Sequence, residues 1–268
     1  MSGQPTYHAT GINLKTMPLG ESDRLVTILT KEEGLIRAVA KGSRKQPSKL
    51  GGRMEPFVVN ELVLLRGKGS PGDPQGGLQR ITQAETLRSF PRLGRSLAQL
   101  TAAQYLAEVA LTQALSGHSQ EELFVLLLEH LQRLEAASAP EVLPLLSHAL
   151  FHLLALAGVA PQVQHCHFCQ KQLCLSRLAP LDVHFSLSVG GVICDACAIA
   201  HRPQPLSLLS PMVLSLLQQL SQASLDWGSL SASDTGWLGA ESLLRRAIEY
   251  HTERPVRSAT LIDHCWPP

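Results

Sequence analysis

The chain has 268 residues and a formal net charge of +1, with 44% hydrophobic, 4% aromatic and 17% charged residues. This composition is ordinary for a folded protein and excludes wholesale disorder, and the length allows two domains or one domain with a smaller module. The N-terminus lacks the apolar core of a signal peptide, and no window approaches about 18 uninterrupted apolar residues, so we expect a cytoplasmic protein.

Basic charge is concentrated in the N-terminal part of the chain. Residues 1–82 hold 12 lysines and arginines against 7 acidic residues, whereas residues 83–268 hold 11 against 15. The near-neutral total hides this difference. Such asymmetry between two parts of one chain indicates a polyanionic partner for the basic part.

Five apolar runs of strand length lie in the first ninety residues, with frequent β-branched residues and partial alternation. They cover residues 9–14, 25–30, 35–40, 57–65 and 78–87. Gly34 allows a hairpin reversal between the second and third runs, and five short strands predict a small closed or half-closed barrel. The main aromatic residues here, Tyr7 and Phe57, are interpreted as core residues rather than as base-stacking platforms.

Six basic residues and no acidic residue occur between positions 34 and 54. They are Arg37, Lys41, Arg44, Lys45, Lys49 and Arg53. An acid-free cationic stretch suits contact with a phosphate backbone, and the alternative interpretation is a solvated charged loop. Because the charge asymmetry favours the first interpretation, we predict that these six residues form a nucleic-acid-binding surface.

The sequence pattern changes after the fourth apolar run. Residues 66–77 contain five glycines and two prolines, which predicts a mobile connection between the last two strands. Beyond residue 91 the apolar spacing is helical, Ser119 with Glu122 has the pattern of a capping box, and Ser138 opens a run that Gly158 ends. Two more helices are predicted after residue 205, and we expect all of these helices to pack in one bundle.

Two CxxC pairs, Cys166 with Cys169 and Cys194 with Cys197, are separated by 24 residues. Each CxxC turn can direct two thiolates at one metal, and four sulfur ligands complete the tetrahedral shell that zinc prefers. We therefore predict one structural zinc ion held by these four cysteines. A full set of thiolates leaves no open coordination position for water, which excludes a hydrolytic role for the metal.

Three alternatives to this ligand set remain open at the level of sequence. The four cysteines could form two disulfides, could stay unligated, or could share the metal with a nearby histidine. The histidines of this region are His165, His167, His184 and His201. The two remaining cysteines, Cys174 and Cys265, lie outside the pair spacing and are interpreted as free thiols.

Sequence patterns of catalytic sites are missing from the chain. There is no GxxxxGK phosphate loop, HExxH helix or GxSxG elbow. A zinc deaminase requires a proline before its CxxC pair, and Ile193 stands at that position. We therefore predict a protein that is not an enzyme.

Four segments carry a resemblance to a known family. They are ESDRLVTILTKEEGLIRAVAKGSRK at residues 21–45, LLALAGVAPQVQHCHFC at 153–169, HFSLSVGGVICDAC at 184–197 and RPVRSATL at 254–261. Together, and in this order, they resemble the RecO family of bacterial recombination and DNA repair mediators, and they touch nearly the whole chain.

The resemblance implies an α+β multidomain fold. Its N-terminal part would be a five-stranded OB-fold β-barrel, followed by an α-helical bundle with an inserted four-cysteine zinc finger. On this basis we place the nucleic-acid-binding OB-fold domain at residues 1–82, the helical domain at residues 83–160 and 204–268, and the zinc-finger module at residues 161–203.

The resemblance also implies a function. Such a mediator binds single- and double-stranded DNA, anneals complementary strands and, with RecR, helps to load the recombinase RecA onto DNA coated with single-strand-binding protein. The helical domain of the family receives the C-terminal tail of that protein. A mediator of this kind is cytoplasmic, associates with the nucleoid when bound to DNA, and needs no membrane. The competing interpretation is a zinc-stabilised protein–protein adaptor without direct DNA binding.

Overall fold

The computed structural model describes residues 6–67, 77–173, 183–203, 205–221 and 234–266. The chain divides into two compact units. The first comprises residues 1–96 and 107–136, and the second comprises residues 97–106 and 137–268. The predicted mobile connection at 66–77 and the predicted free thiol of Cys174 lie largely or wholly outside the described residues.

The first unit contains a closed five-stranded barrel, as the sequence predicts. Its strands are β1 (Thr6–Leu19), β2 (Asp23–Thr30), β3 (Gly34–Ala40), β4 (Val59–Leu65) and β5 (Gln79–Arg88). They close in the order β1-β2-β3-β5-β4, and only β3 and β5 pair in parallel. The barrel is filled by small and branched side chains from all five strands, among them Val26, Ile28 and Leu62, which are fully buried.

Side chains on the strands alternate between the barrel interior and its outer face. On β3, Ile36, Ala38 and Ala40 are buried, whereas Arg37 is exposed and Val39 is half-buried. This is the alternation that the sequence predicts. β1 is much longer than the predicted run at 9–14, because its first half pairs with β4 and its second half pairs with β2.

The β2–β3 hairpin is joined to the segment between two helices, α1 (Leu97–Gln113) and α2 (Glu121–Ala136). Leu35 donates a backbone hydrogen bond to the Leu115 carbonyl at 2.8 Å, and Gly117 donates one to the Glu33 carbonyl at 3.0 Å. The Ser119 hydroxyl, predicted to cap α2, donates instead to the Lys31 carbonyl. The tip of the hairpin is therefore tied to the connection between the helices.

Gly34 is the position where this packing is tightest, and alanine there should be strongly destabilising. Its φ is +68°, and a Cβ atom would lie 2.1 Å from the Leu115 carbonyl oxygen and 2.5 Å from that of His118. The Leu115 oxygen accepts a hydrogen bond and cannot retreat without losing it. We expect Gly34→Ala to lower the free energy of unfolding by roughly 3–4 kcal/mol, measured by chemical denaturation.

Gly20 provides the matched control, because its φ is +60° but nothing lies within 4 Å of the place that a Cβ atom would take. Gly20→Ala should cost only the backbone strain, about 1 kcal/mol. Equal losses for the two variants would show that close approach at Gly34 contributes nothing.

The second unit contains the remaining helices and a small sheet. Its further helices are α3 (Val142–Leu156), α4 (Asp195–His201), α5 (Pro211–Leu220), α6 (Asp234–Thr252) and α7 (Ile262–Cys265). Helix α6 packs against both α3 and α5. Ser210 caps α5 by accepting a hydrogen bond from the Val213 amide, and Ser138 and Glu141 form a capping box ahead of α3. The helices that the sequence predicts in this part of the chain are therefore present.

The sheet of the second unit consists of β6 (Val183–Ser186), β7 (Gly191–Cys194) and β8 (Leu206–Leu209), in the order β7-β6-β8. None of these three strands is among the five that the sequence predicts, and β8 also bears on the module boundary. This strand lies beyond the module boundary predicted at residue 203, so the sheet extends across that boundary into the chain that leads to α5.

The predicted domain boundaries stay a prediction, although two structural features bear on their position. The boundary at residue 82 falls inside β5, which continues to Arg88. Residues 107–136 group with the barrel rather than with the later helices. The hydrogen bonds between the β2–β3 hairpin and the α1–α2 connection are among the contacts that join these residues to the barrel.

Among the residues that the structure describes, one helical stretch, Ala139–Leu156, is long and apolar enough to cross a membrane by length and composition alone. Two thirds of it, 67%, is buried inside the protein. The core helix of a soluble protein passes the same test, so this stretch is weak evidence for a membrane span.

Candidate functional site

Five of the six predicted DNA-binding residues lie on the segment between β3 and β4, which polar side chains fasten to the barrel. The buried Asn13 amide donates to the carbonyls of Arg53 and Glu55 at 2.8 and 2.9 Å. The buried Asn60 amide also donates to the Arg53 carbonyl, at 2.9 Å. Met54 between them is fully buried in the barrel core. The basic segment, residues 41–58, is thus fastened to the barrel at residues 53–55.

Arg24 is a cation of the same region that has a structural role. Its guanidinium forms an ion pair with Glu55 at 2.6 Å and also donates to the Gly51 carbonyl at 3.3 Å. The ion pair joins β2 to the basic segment near its return to β4. The charge of Arg24 is therefore already compensated within the protein.

The six predicted cations occupy three positions in the first unit. Arg37 is exposed on β3 and Lys41 follows that strand. Arg44 and Lys45 line a groove of about 430 Å³ whose other walls include Ser43, Ser48 and glycine backbone. Lys49 and Arg53 line a second groove of about 670 Å³, together with His8, Glu61 and Glu85. The first two positions therefore present only cations, whereas the third also presents the carboxylates of Glu61 and Glu85.

None of the six cations forms an ion pair within 4.0 Å in the part of the chain that the structure describes. Arg44 donates to the Gly20 carbonyl at 3.0 Å and Arg53 donates to the Ala84 carbonyl at 2.7 Å. Carbonyl acceptors leave the charge of a guanidinium uncompensated, and five N–H donors allow it further partners. All six side chains are exposed.

Asp23 is an acid that lies among these cations. Its carboxylate accepts a hydrogen bond from the Gly42 amide at 2.8 Å, which lowers the pKa of Asp23, and the charges of Lys41 and Lys45 lower it further. Asp23 therefore stays ionised and removes part of the local positive charge. Its main bond is to the backbone at the end of β3, where it fixes the turn that presents Lys41.

Strand register places two more cations, which are not among the six predicted residues, near Arg37. Lys15 on β1 lies opposite Thr27 on β2, and Thr27 lies opposite Arg37 on β3. Arg80 on β5 lies opposite Val39 on β3. Lys15 and Arg80 are exposed. Only strand pairing brings these residues together, so no local sequence pattern could have indicated them.

The two aromatic side chains of the barrel are placed as the sequence predicts. Phe57 is 6% exposed. Tyr7 packs against the barrel core, its hydroxyl donates to Gln79, and the Arg66 guanidinium lies over its ring at 4.5 Å. Arg66 in turn pairs with Glu33 at 2.7 Å. Neither ring offers a free face for stacking with a base.

The four cysteines of the CxxC pairs converge in the second unit. Their sulfur atoms all lie within 4.8 Å of one another, and Cys169 Sγ lies 3.7 Å from Cys194 Sγ. Sulfur atoms at about 2.3 Å from a central zinc ion would be about 3.8 Å apart at the corners of a tetrahedron. The donor set and its spacing therefore fit a metal ion such as zinc.

Backbone groups support the charged form of one of these cysteines. Burial opposes ionisation of the Cys166 thiol, but amides of Cys169, Cys194 and Phe168 outweigh it and lower the pKa of Cys166 to about 6. Burial and the neighbouring thiols raise the pKa of Cys197 to about 12. Four thiolates this close repel one another, and a divalent cation among them would remove that repulsion.

The described residues bear on two of the three alternatives for the cysteines, the disulfides and a histidine ligand. Cys166, Cys169, Cys194, Cys197 and Cys265 are all free thiols, so the two pairs do not form disulfides with one another. His184 lies 3.4 Å from Asp195, and the His201 ring stacks on Phe168 at 4.0 Å. Neither histidine joins the sulfur cluster in the described part of this unit.

Comparison with known proteins gives a consistent result along the chain. Residues 1–90 match the family model described as recombination protein O N terminal, and residues 94–260 match the one described as recombination protein O C terminal. A protein of a Synechococcus strain, named DNA repair protein RecO, is 60% identical over 99% of this chain and 92% of its own length.

More distant relatives carry the same name. A DNA repair protein RecO of Gloeobacter violaceus is 46% identical over 100% of this chain and 96% of its own length. One of a Nostoc species is 45% identical over 96% of this chain and 95% of its own length.

Proposed function

Since the chain belongs to the RecO family of DNA repair proteins, we propose that it is a non-enzymatic recombination mediator that binds single- and double-stranded DNA and anneals complementary strands. With RecR it assists the loading of RecA onto DNA coated with single-strand-binding protein, whose C-terminal tail its helical part receives. The family membership supports the role in DNA repair, and the chemistry of the first unit supports the DNA contact.

The observation that carries the proposal is the set of exposed cations without carboxylate partners on the barrel and its basic segment. Phosphate contacts of this kind position a strand without reading its bases. The residues that make them are Arg37, Lys41, Arg44, Lys45, Lys49 and Arg53. A surface that binds backbones lowers the repulsion between two strands and leaves their base edges free to pair, which is what annealing requires.

Salt dependence tests whether the protein binds DNA through these contacts. Six phosphate contacts predict a slope of log K against log[salt] of roughly −4 for single strands. Between 50 and 200 mM salt the affinity should fall on the order of a hundredfold or more, measured by fluorescence anisotropy with a dT oligonucleotide. A protein–protein adaptor would show no steep salt-dependent binding at all, and that result would reject the proposal.

Loading is tested by a second reaction. Complementary strands precoated with single-strand-binding protein should anneal faster with this protein present, and RecR should be needed for RecA to assemble on the coated strand. Annealing of bare strands without any effect on coated strands would limit the function to the DNA contact.

The four cysteines Cys166, Cys169, Cys194 and Cys197 would hold one zinc ion. With four thiolate ligands the ion would supply no reactive water and would act by joining the two CxxC turns. Cys194 ends β7 and Cys197 lies on α4, so the ion would connect the sheet and helix of this module to the turn at Cys166. Its role is structural in a cytoplasmic, nucleoid-associated protein.

A further inference from the structure

The outer face of β1, β2 and β3 near the tip of the β1–β2 hairpin is arranged in rows of directly opposed residues. One row runs from Lys15 through Thr27 to Arg37. The next row runs from Met17 through Leu25 and Val39 to Arg80. The first row is polar and cationic. The second row is apolar except for Arg80 at its β5 end.

The apolar row opens to solvent at its β1 end. Met17 is 38% exposed and Leu19, two residues further on the same face of β1, is 39% exposed. Leu25 is 9% exposed and Val39 is half-buried, so they support Met17 from the neighbouring strands. Adjacent rows on one face are about 6.8 Å apart and adjacent strands about 4.8 Å apart, so this apolar surface is small and continuous.

Cations lie on both sides of the apolar surface. Lys15 and Arg37 belong to the neighbouring row. On the other side, beyond Leu19, the Arg44 guanidinium donates to the Gly20 carbonyl at 3.0 Å at the hairpin tip. Asp23 lies opposite Leu19 on this second side and accepts a hydrogen bond from the Gly42 amide, so the flank carries the charges of Arg44, Lys41 and Lys45 less that of one carboxylate. An apolar strip with a net positive charge on both sides matches a polymer that has an anionic backbone and exposed apolar faces.

We propose that Met17 and Leu19, supported by Leu25 and Val39, form a base-contact strip for single-stranded DNA. The proposal rests on the proposed function, because the flanking cations must hold the phosphates for the bases to reach the strip. Single-stranded DNA is the occupant that fits, since its bases expose flat apolar faces that a duplex conceals in its stack.

Contacts of this kind do not require an aromatic ring. Methionine is flexible and polarizable and adapts to different partners, and apolar side chains contact base faces in many DNA-binding proteins. Because the strip offers no hydrogen-bonding group, it would accept any base. It would therefore favour single strands over duplexes without selecting a sequence.

The test measures affinity of the full-length protein for three probes of equal length: a dT strand, an abasic strand and a duplex. We expect Met17→Ser to weaken dT binding about fivefold, the scale of losing one partly buried methionine contact, and to leave the abasic strand and the duplex within about twofold. The salt slope for dT should not change, because no phosphate contact is removed. Met17→Leu should retain dT binding.

Val125→Ser provides the matched control, because Val125 is 46% exposed on α2 and serine and valine have similar helix propensities. It should bind all three probes as the parent does. An equal loss on dT and abasic strands in Met17→Ser, or no loss on either, would overturn the base-contact strip. A steep salt slope in the parent would still support the proposed function in that case, and a flat slope would reject both.

Discussion

Replacing Arg44, Lys45 and Lys49 together by alanine is expected to weaken binding to single-stranded DNA on the order of a hundredfold at 50 mM salt. Each cation removed takes away a phosphate contact, so the salt slope should become shallower by about 2. The three side chains are exposed, and the segment that carries them is fastened through Asn13 and Asn60, so the fold should be kept. Annealing of complementary strands at low salt should slow in parallel.

A control variant with the same change in net charge tests whether DNA binding depends on contacts at the basic segment or on the overall positive charge of the protein. Arg92, Arg95 and Lys171 are exposed and lie outside the basic segment. Their triple replacement by alanine should leave the salt slope unchanged. If the first variant anneals strands at the parent's rate, then the phosphates are held elsewhere on the protein.

Replacing Cys194 by serine is expected to remove the metal and to destabilise the second unit by on the order of 3 kcal/mol or more. The Cys194 sulfur is one of four that lie within 4.8 Å of one another, and three thiolates hold zinc less tightly than four. Elemental analysis should give about one zinc per parent chain and far less in the variant. Thermal unfolding followed by circular dichroism should shift to lower temperature.

Cys265→Ser is the matched control, because Cys265 is a free thiol outside the cluster. It should keep the metal and the unfolding temperature of the parent. Binding of dT should be similar in both variants, since the predicted DNA-binding residues belong to the first unit. A Cys194→Ser protein that unfolds as the parent does would show that the metal does not support the fold.

Much of the fold could be predicted because its signals are local. Alternation in residues 35–40 and the helical spacing after residue 91 arise from neighbours in sequence, and both are present in the structure. The length of β1 and the strands of the small sheet, β6, β7 and β8, are not predicted. The length of β1 and the strand β8 depend on pairing with distant strands: β1 changes partner from β4 to β2 along its length, and β8 pairs with β6.

Some features of the candidate site could likewise be predicted from local sequence, and others could not. The two CxxC pairs are spaced for one metal by sequence alone, and the structure brings their sulfur atoms together. The six cations are visible as an acid-free stretch, but the division of four of them between two grooves is not. Lys15 and Arg80 become neighbours of Arg37 only through register, and Asn13 and Asn60 act on carbonyls away from them in sequence.

The two asparagines that fasten the basic segment, Asn13 and Asn60, affect which partner would be ordered when the protein binds DNA. Because residues 53–55 are fastened to the barrel in the free protein, that part of the backbone would lose little freedom in the proposed complex with DNA. Most of the ordering would then fall on the flexible polynucleotide. A preformed cationic surface of this kind would exchange one strand for another without refolding between encounters.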